Sequence, residues 1–423
     1  MLEIQRLACA IVEAALDGRN LNQALADTWR RNSHLKPSER AAIQDLSFGA
    51  LRFYGLLDSI LNSLLVKPVT DASLRVLLIV TLYQLQYTRA KPFAIVDHAV
   101  QTAVALGKPA AKGLTNAVLR NFLRRREALV AEAEKAETAR LNHPTWWIAK
   151  LKKEYPEHWE AMLSVANQPP PMTLRVNRRL TSVSSYLDLL ASHDIGAQRI
   201  GGQAVLLTHP MPVDRLPGFA EGLVSIQDVS AQHAGPLLDI APGMRVLDAC
   251  SAPGGKTCHL LEIADVDVVA LDSDAERLRR VADNLNRLKF TASLIAADAG
   301  AIDSWWDGKP FDRILIDAPC TGSGVTRRHP DIKWARRRSD IAQFAAQQKR
   351  LLETLWPTLR LGGKLLYATC SVFREENHGQ VADFLSYRRD AHNLPLTDLT
   401  TIDGQIVPNE FHDGFFYALL EKV

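Results

Sequence analysis

The 423-residue chain predicts a multidomain fold: an all-α front over residues 1–135, a small α+β linker domain over 140–219 and an α/β unit over 220–423. Three observations predict it. Apolar residues recur at helical spacing through the front. A proline run, Pro169-Pro170-Pro171, precedes a short alternating segment. Beyond about residue 220, apolar runs of strand length alternate with amphipathic stretches and end repeatedly on an acidic or sulfur residue.

Ile4, Leu7, Ala8, Ile11, Val12, Ala15 and Leu16 share one helical face. Pro37-Ser38-Glu39 opens a second helix. Ile43, Leu46, Leu51, Leu56, Leu57, Ile60 and Leu64 carry its pattern on to a break at Lys67-Pro68. Two more helices span about Leu74–Tyr87 and Ile95–Leu106, the latter ended by Gly107-Lys108-Pro109. The last runs from about Lys112 to Arg126. It finishes on Arg124-Arg125-Arg126, a triplet suited to a helix C-terminus and equally to contact with RNA. After a polar stretch, His143-Pro144 marks a boundary, and Trp146, Trp147, Leu151 and Tyr155 suggest a short helix. Met172–Asn177 alternates like a strand. A helix over Val183–Ser192 and a strand over Ala204–Leu207 complete the small segment, whose Arg175, Arg178 and Arg179 are candidates for gripping phosphate or for solvated strand ends.

In the rear, Arg245-Val246-Leu247 leads into a glycine loop and a helix from Thr257. Val268–Leu271 ends at Asp272, Ala292–Ala297 at Asp298, Arg313–Ile316 at Asp317, and Lys364–Ala368 at Thr369-Cys370. Such strands alternating with helices imply a parallel sheet covered on both faces. Ligands bind beyond the carboxyl ends of such strands, where these residues fall.

Hydrophobic content of 47% and charged content of 23% are those of a globular protein. The apolar stretch Val76–Leu85, interrupted by Thr81 and Gln84, is too short to span a bilayer, and no signal peptide is expected. Five cysteines without repeated spacing argue for a reducing, cytoplasmic setting. No Cys-x-x-Cys pair or His/Cys cluster has metal-ligand spacing, so no metal is expected. Net charge is +6 over residues 1–140, +2 over 141–215 and −5 beyond. A basic front suggests that this end meets a polyanion.

Ala252-Pro253-Gly254-Gly255-Lys256-Thr257 lacks the first glycine of a phosphate-binding P-loop. Asp272, about twenty residues on at the next strand end, fits a carboxylate on ribose hydroxyls. Loop and carboxylate together favour an adenosine-bearing cofactor. Cytosine carbon-5 is a poor nucleophile until a thiolate adds at carbon-6 with acid assistance at ring nitrogen-3. Release then needs a second acid/base group. Cys370, Asp317 and Cys320 supply those types; Cys9, Cys250 and Cys258 read as small buried hydrophobes.

Four segments then carry a resemblance: Cys250 to Lys256, Asp317 to Gly324, Arg328 to Trp334, and Gly362-Gly363-Lys364 through Cys370-Ser371-Val372. Over about residues 140–423 the chain resembles the bacterial 16S ribosomal RNA 5-methylcytosine methyltransferases of the NOP2/Sun family. Asp413-Gly414-Phe415-Phe416 fits that family as the turn into the sheet's final strand. Residues 1–135 resemble the NusB helical RNA-binding domain, notably at Leu82-Tyr83-Gln84-Leu85 and Asn116-Ala117-Val118-Leu119-Arg120. The resemblance implies a NusB-like front and a Rossmann-like, S-adenosylmethionine-dependent catalytic domain. It implies Cys370 as nucleophile and Cys320 as helper in release. Ala249, Cys250, Ser251, Ala252, Pro253, Gly254, Gly255, Lys256, Asp272, Asp298 and Asp317 would bind the cofactor, Asp272 at the ribose and Asp298 at the adenine. Asp317 would also face cytosine nitrogen-3, with Lys256 near the reacting groups. Ser251 replaces an alanine of the family's usual loop.

The expected partner is 16S ribosomal RNA at a single-stranded or looped cytosine, because a base must leave its stack before a thiol reaches it. Arg327, Arg328 and His329, then Arg336, Arg337 and Arg338, are candidates to guide its backbone, with salt-sensitive binding. A monomer is expected, with no membrane and no DNA. A DNA cytosine methyltransferase would carry Glu-Asn-Val where this chain has Glu376-Asn377-His378. The alternatives are a transfer-RNA substrate and a non-catalytic ribosome-assembly or antitermination factor.

Overall fold

A computed structural model describes residues 2–397 and 399–423. Helix α1 (Leu2–Leu16) buries Ile4, Leu7, Ala8, Ile11, Val12 and Ala15, as their spacing predicts. The apolar spacing gives no warning of α2 (Leu21–Arg31), which begins where the Asn20 side chain accepts from the Gln23 amide at 3.1 Å. The one helix expected from Pro37 to Leu64 is two, α3 (Pro37–Arg52) and α4 (Tyr54–Leu64), parted at Phe53. A one-residue break leaves the apolar pattern nearly in phase, so periodicity does not reveal it. Helix α5 (Ala72–Tyr87) starts on an Asp71 cap and is buried at every position from Val76 to Leu85. It packs against α1, α3 and α4 as well as α6 (Pro92–Ala105) and α7 (Lys112–Ala133). Being apolar all round is what a central helix requires.

The arginine triplet does not end its helix. Helix α7 runs on to Ala133 with a kink at Arg125, and Arg126 instead donates to the side chain and carbonyl of Gln86 at 2.7 and 2.6 Å. That satisfies the carboxyl end of α5 while Arg124, Arg125 and Arg126 stay exposed. Three short helices follow: α8 (Glu137–Arg140), α9 (Thr145–Glu154) and α10 (Trp159–Val165).

Beyond the prolines, β1 (Thr173–Val176), α11 (Val183–Ser192), β2 (Ala197–Gly201), β3 (Ala204–Leu207) and β4 (Val224–Ile226) form an antiparallel sheet in the order β2-β3-β1-β4. Strand β1 is buried at all four residues despite its alternating sequence. The cause is Arg175, whose guanidinium is enclosed by an ion pair described below.

Two short helices, α12 (Val229–Gln232) and α13 (Ala234–Leu237), precede β5 (Arg245–Ala249), α14 (Gly255–Ile263), β6 (Asp267–Asp272), α15 (Ala275–Leu288), β7 (Ser293–Ala296) and β8 (Phe311–Asp317). Then come α16 (Ile332–Ala335), α17 (Arg338–Leu355), β9 (Leu359–Thr369), α18 (His378–Tyr387), β10 (Ala391–Leu394), β11 (Gln405–Ile406) and β12 (Phe415–Lys422). The large sheet runs β10-β12-β9-β8-β5-β6-β7, with β11 on β12. It is mixed, not wholly parallel: β5 to β9 are parallel, while β12 lies antiparallel to β9 and β10 antiparallel to β12. Side chains alternate between two cores. Leu247, Val269, Ile314 and Leu365 meet Leu351, Leu355 and Phe384 on one face, and Val246, Val268, Leu315 and Leu366 meet Leu260, Val281 and Leu285 on the other.

The Cα positions form two compact units: Met1–Pro169 with Thr326–Arg338, and Pro170–Val325 with Ser339–Val423. In the first, the returning segment is buried among helices. Trp334 Nε1 donates to the Leu51 carbonyl at 2.7 Å, and Lys333 Nζ to the Arg52 carbonyl and Asn167 Oδ1, each at 2.8 Å. Arg327 is buried there too, so it is not the surface guide for RNA that the sequence suggests. Among the described residues, no helix is long and apolar enough to cross a membrane.

Candidate active site

The glycine loop leaves β5 through a left-handed residue, Cys250 (φ 70°), and enters α14 through Gly254 (φ 96°). A side chain at Gly254 would meet the backbone of Val281 at 3.0 Å, so positive φ and close helix approach both demand glycine. The Ala252–Pro253 peptide is cis. Asp272 ties the loop to the end of β6: its two oxygens accept from the amides of Ala252 at 3.1 Å and Asp274 at 3.0 Å. The Ser251 amide donates to the Leu271 carbonyl at 2.7 Å. Behind the loop Asp248 is fully buried. Thr257 Oγ1 donates to its Oδ2 at 2.6 Å, while its Oδ1 and the nearby Ser251 Oγ have no partner. Burial pushes the Asp248 carboxyl up to about 7, against the pull of the Thr257 hydrogen bond. Burial, then the charges of Asp317, Asp272 and Asp248, raise the Cys250 thiol.

Lys256, on the first turn of α14, reaches Asp317 at the end of β8 with Nζ–Oδ2 of 2.7 Å and lies 5.3 Å from the Phe415 ring centroid. Burial alone would lower its ammonium; the Asp317 carboxylate outweighs that and holds it above its ordinary value. Three residues beyond Asp317 sits Cys320, and its sulfur lies 3.4 Å from that of Cys370 at the end of β9. Both are free thiols. The hydrogen bond with Cys370, then burial, then the charge of Glu376 hold the Cys320 thiol well above the usual range. The two loops are zipped by Gly324, whose amide donates to the Cys370 carbonyl at 2.8 Å. A side chain there would strike the Gly414 carbonyl at 2.1 Å, which only glycine avoids.

The structure therefore brings Lys256, Asp317, Cys320 and Cys370 together, with Asp272 and residues 249–255 on the adjoining strand ends. Asp298 follows β7 beside Asp272, whose carbonyl accepts from the Ala297 amide at 3.1 Å, and it pairs with Arg350 of α17 and accepts from the Gly300 amide at 2.9 Å. Arg175 does not grip phosphate: it donates to Glu262 at 2.8 and 2.6 Å and to the Gly255 carbonyl at 2.8 Å. It clamps the small sheet to α14 instead. Arg179 pairs with Asp265 at 2.6 Å. Sequence reasoning passed over Asp248, Gln348 and the bracing by Glu376 and Asn377. Asp248 was the findable one, since it ends an apolar strand just before the loop.

A mixed sheet with a glycine turn after β5 and paired thiols at its carboxyl edge defines a class, the Rossmann-like, S-adenosylmethionine-dependent methyltransferases. The comparisons narrow it. Residues 236–421 match the 16S rRNA methyltransferase RsmB/F family, 143–214 its ferredoxin-like domain, and 3–124 the NusB family. The chain is 47% identical to ribosomal RNA small subunit methyltransferase B of Pseudomonas putida over 99% of this chain and 98% of that protein. It is 42% identical to the protein of that name from Pectobacterium carotovorum, again over 99% and 98%. A solved methyltransferase homologue from Pyrococcus horikoshii is 30% identical, with a TM-score of 0.60 over 68% of this chain and 97% of that one. The solved protein PH0851 has the same fold over 99% of both chains, at a TM-score of 0.80 and 23% identity. The chain belongs to the RsmB/F methyltransferase family, with a NusB domain in front of the ferredoxin-like and catalytic domains.

Proposed function

We propose that this chain methylates carbon-5 of one cytosine in 16S ribosomal RNA in the cytoplasm, through a covalent bond between Cys370 and carbon-6. The relatives' names supply the small-subunit substrate. The single observation that carries the chemistry is the 3.4 Å contact between the Cys320 and Cys370 sulfurs, beside the Lys256–Asp317 pair.

The loop suits S-adenosylmethionine. Asp248 Oδ1 and Ser251 Oγ are buried acceptors without partners, and Asp272 stands at the next strand end. Residues 249–256, Asp272, Asp298 and Asp317 would hold the cofactor, which when bound supplies an electrophilic methyl group. Cys370 adds through its thiolate to carbon-6, and the π electrons move towards nitrogen-3, where the Lys256–Asp317 pair offers a proton. Carbon-5 is then enamine-like and takes the methyl group. Loss of the carbon-5 proton and cleavage of the carbon–sulfur bond return the aromatic base and the Cys370 thiolate. Cys320, 3.4 Å from the attacking sulfur, takes the acid–base role at that release that the family resemblance implies.

Cys320→Ala, incubated with S-adenosylmethionine and RNA from cells lacking the gene, should accumulate a denaturant-stable adduct at one small-subunit cytosine. Adding Cys370→Ala should abolish both the adduct and methyl transfer, the latter by at least about 10³-fold. An adduct on transfer RNA would keep the mechanism and overturn the substrate. Methylation by Cys370→Ala at the wild-type rate would refute the assigned nucleophile.

A further inference from the structure

Glu376 is fully buried six residues beyond Cys370, just ahead of α18. Its carboxylate accepts four hydrogen bonds, and each comes from a segment that carries or supports one of the two cysteines. The Thr321 amide donates to Oε1 at 2.8 Å and the Thr321 hydroxyl to Oε2 at 2.6 Å. The Ser371 hydroxyl also donates to Oε2. Gln348 Nε2, from α17, donates to Oε1 at 3.2 Å and to the Pro319 carbonyl at 2.9 Å. The residues on either side of Cys320 are thereby fixed from one point.

Asn377 does the same for Cys370. Its Oδ1 accepts from the Thr369 hydroxyl, and its Nδ2 donates to the Ser371 carbonyl at 2.9 Å and to Gln405 Oε1 at 2.7 Å. A hydroxyl chain completes the bridge: Ser323 Oγ lies 2.9 Å from Ser371 Oγ and accepts from the Val372 amide at 2.8 Å. Ser371, next to Cys370, is held by both: its hydroxyl by Glu376 and its carbonyl by Asn377. A buried carboxylate is costly unless its acceptors are filled. Here they are filled by the very loops whose spacing sets the sulfur–sulfur contact.

We propose that Glu376 is a positioning residue which, with Asn377, holds the Cys320 and Cys370 sulfurs in contact at the sheet edge. This rests on the two-cysteine reading above for its catalytic consequence, though not for the geometry itself. The reaction needs one sulfur at carbon-6 and the other near carbon-5 of the same ring, adjacent atoms of one base. A displacement of about 1 Å at such a site costs on the order of 100-fold in rate. Glu376 acts through the loops and touches no reacting atom.

Two variants and two readouts test it. Glu376→Gln keeps the shape: its carbonyl still accepts from the Thr321 amide, and its amide donates to the Thr321 and Ser371 hydroxyls once they turn. Glu376→Ala leaves those donors unmet. The first readout is thiol geometry, independent of any RNA substrate. Oxidised glutathione takes two electrons and two protons from the paired thiols, giving one Cys320–Cys370 disulfide and two reduced glutathiones. Peptide mapping follows its rate. Glu376→Ala should form that disulfide at least about 10-fold more slowly than wild type, and Glu376→Gln within about 3-fold of it. The second readout is turnover: kcat should fall about 100-fold in Glu376→Ala with KM for RNA little changed, and Glu376→Gln should recover most of it. If Glu376→Ala does not fold, Glu376→Gln decides alone, because a pure positioning role requires it to keep both disulfide rate and kcat. Unchanged disulfide formation in Glu376→Ala, or loss of kcat in Glu376→Gln at an unchanged disulfide rate, would overturn the proposal. Wild-type protein that forms the disulfide yet methylates no RNA would sink the functional reading and leave the brace standing.

Discussion

In the helical unit the polar cluster between α1, α5 and α6 is neutral, although the unit's returning segment also buries Arg327, Asp331 and Lys333. Gln5 Nε2 donates to Thr81 Oγ1 and Gln84 Oε1, each at 3.2 Å, and Gln5 Oε1 accepts from Thr102 at 2.9 Å. Even Lys333 there meets only a carbonyl and an amide oxygen, and burial, followed by nearby Arg52, pushes its ammonium well below the usual range. The sheet unit is different. It buries Arg175 against Glu262 and the carboxyls of Asp248 and Glu376, and half-buries the Lys256–Asp317 pair. Neutral networks fix register among packed helices at small electrostatic cost. Buried charges are dearer to keep, and here they cluster along the edge where the loops carrying the candidate chemistry are set.

The sharpest way to break that contrast is Arg175→Ala. It would strand Glu262, whose side chain is 1% exposed, without its bidentate partner. A loss of about 3–5 kcal/mol in unfolding free energy is expected, read from denaturant titration of the full chain. A loss below about 1 kcal/mol would mean that apolar packing alone holds the small sheet to α14.

Asp248→Asn should give the next largest effect, and it depends on pH. An unfolded aspartate gives up its proton near 3.8, whereas folded Asp248 keeps it up to about 7. Between those values the folded state binds the extra proton, so this group costs stability increasingly as pH rises from about 4 to 7 and no further above that. Asparagine removes the slope. Relative to wild type, the variant should therefore gain on the order of 3 kcal/mol between about pH 4 and pH 8. Parallel stability curves for the two proteins would mean that Asp248 is ionised in the fold.

How much of this the sequence discloses also follows the contrast. Period and burial agree wherever packing is apolar: α1, α5 and the strands ending at Asp272, Asp317 and Cys370 all lie where spacing puts them. Placing Cys320, Cys370, Asp317 and Lys256 at one edge needs only the strand ends and the parallel order. Pairing is a different matter. Arg175 reads as a surface arginine because Glu262 is 87 residues away. Glu376 enters the sequence reading only in Glu376-Asn377-His378, set against the Glu-Asn-Val of DNA enzymes, and nothing there shows that Thr321 and Ser371 surround it. Periodicity reports which face is apolar; it holds no information on which distant loop supplies a buried charge with its donors.

Gln5→Leu tests the neutral side of the comparison, with the smallest effect. The substitution removes three hydrogen bonds, where Arg175→Ala removes four: two to Glu262 and one each to the Gly255 carbonyl and Gln227 Oε1. The hydroxyls of Thr81 and Thr102 keep their bonds to the Leu77 and His98 carbonyls at 2.7 and 2.8 Å. The main loss therefore falls on Gln84 Oε1, and leucine adds apolar burial in return. About 1–2 kcal/mol is expected, against about 3–5 kcal/mol for the arginine, which gives up only one bond more. Losses in the two variants in the ratio of three to four would show that bond count governs both regions and that charge does not. A loss near 1 kcal/mol at Gln5 beside a several-fold larger one at Arg175 would locate the difference in the stranded carboxylate.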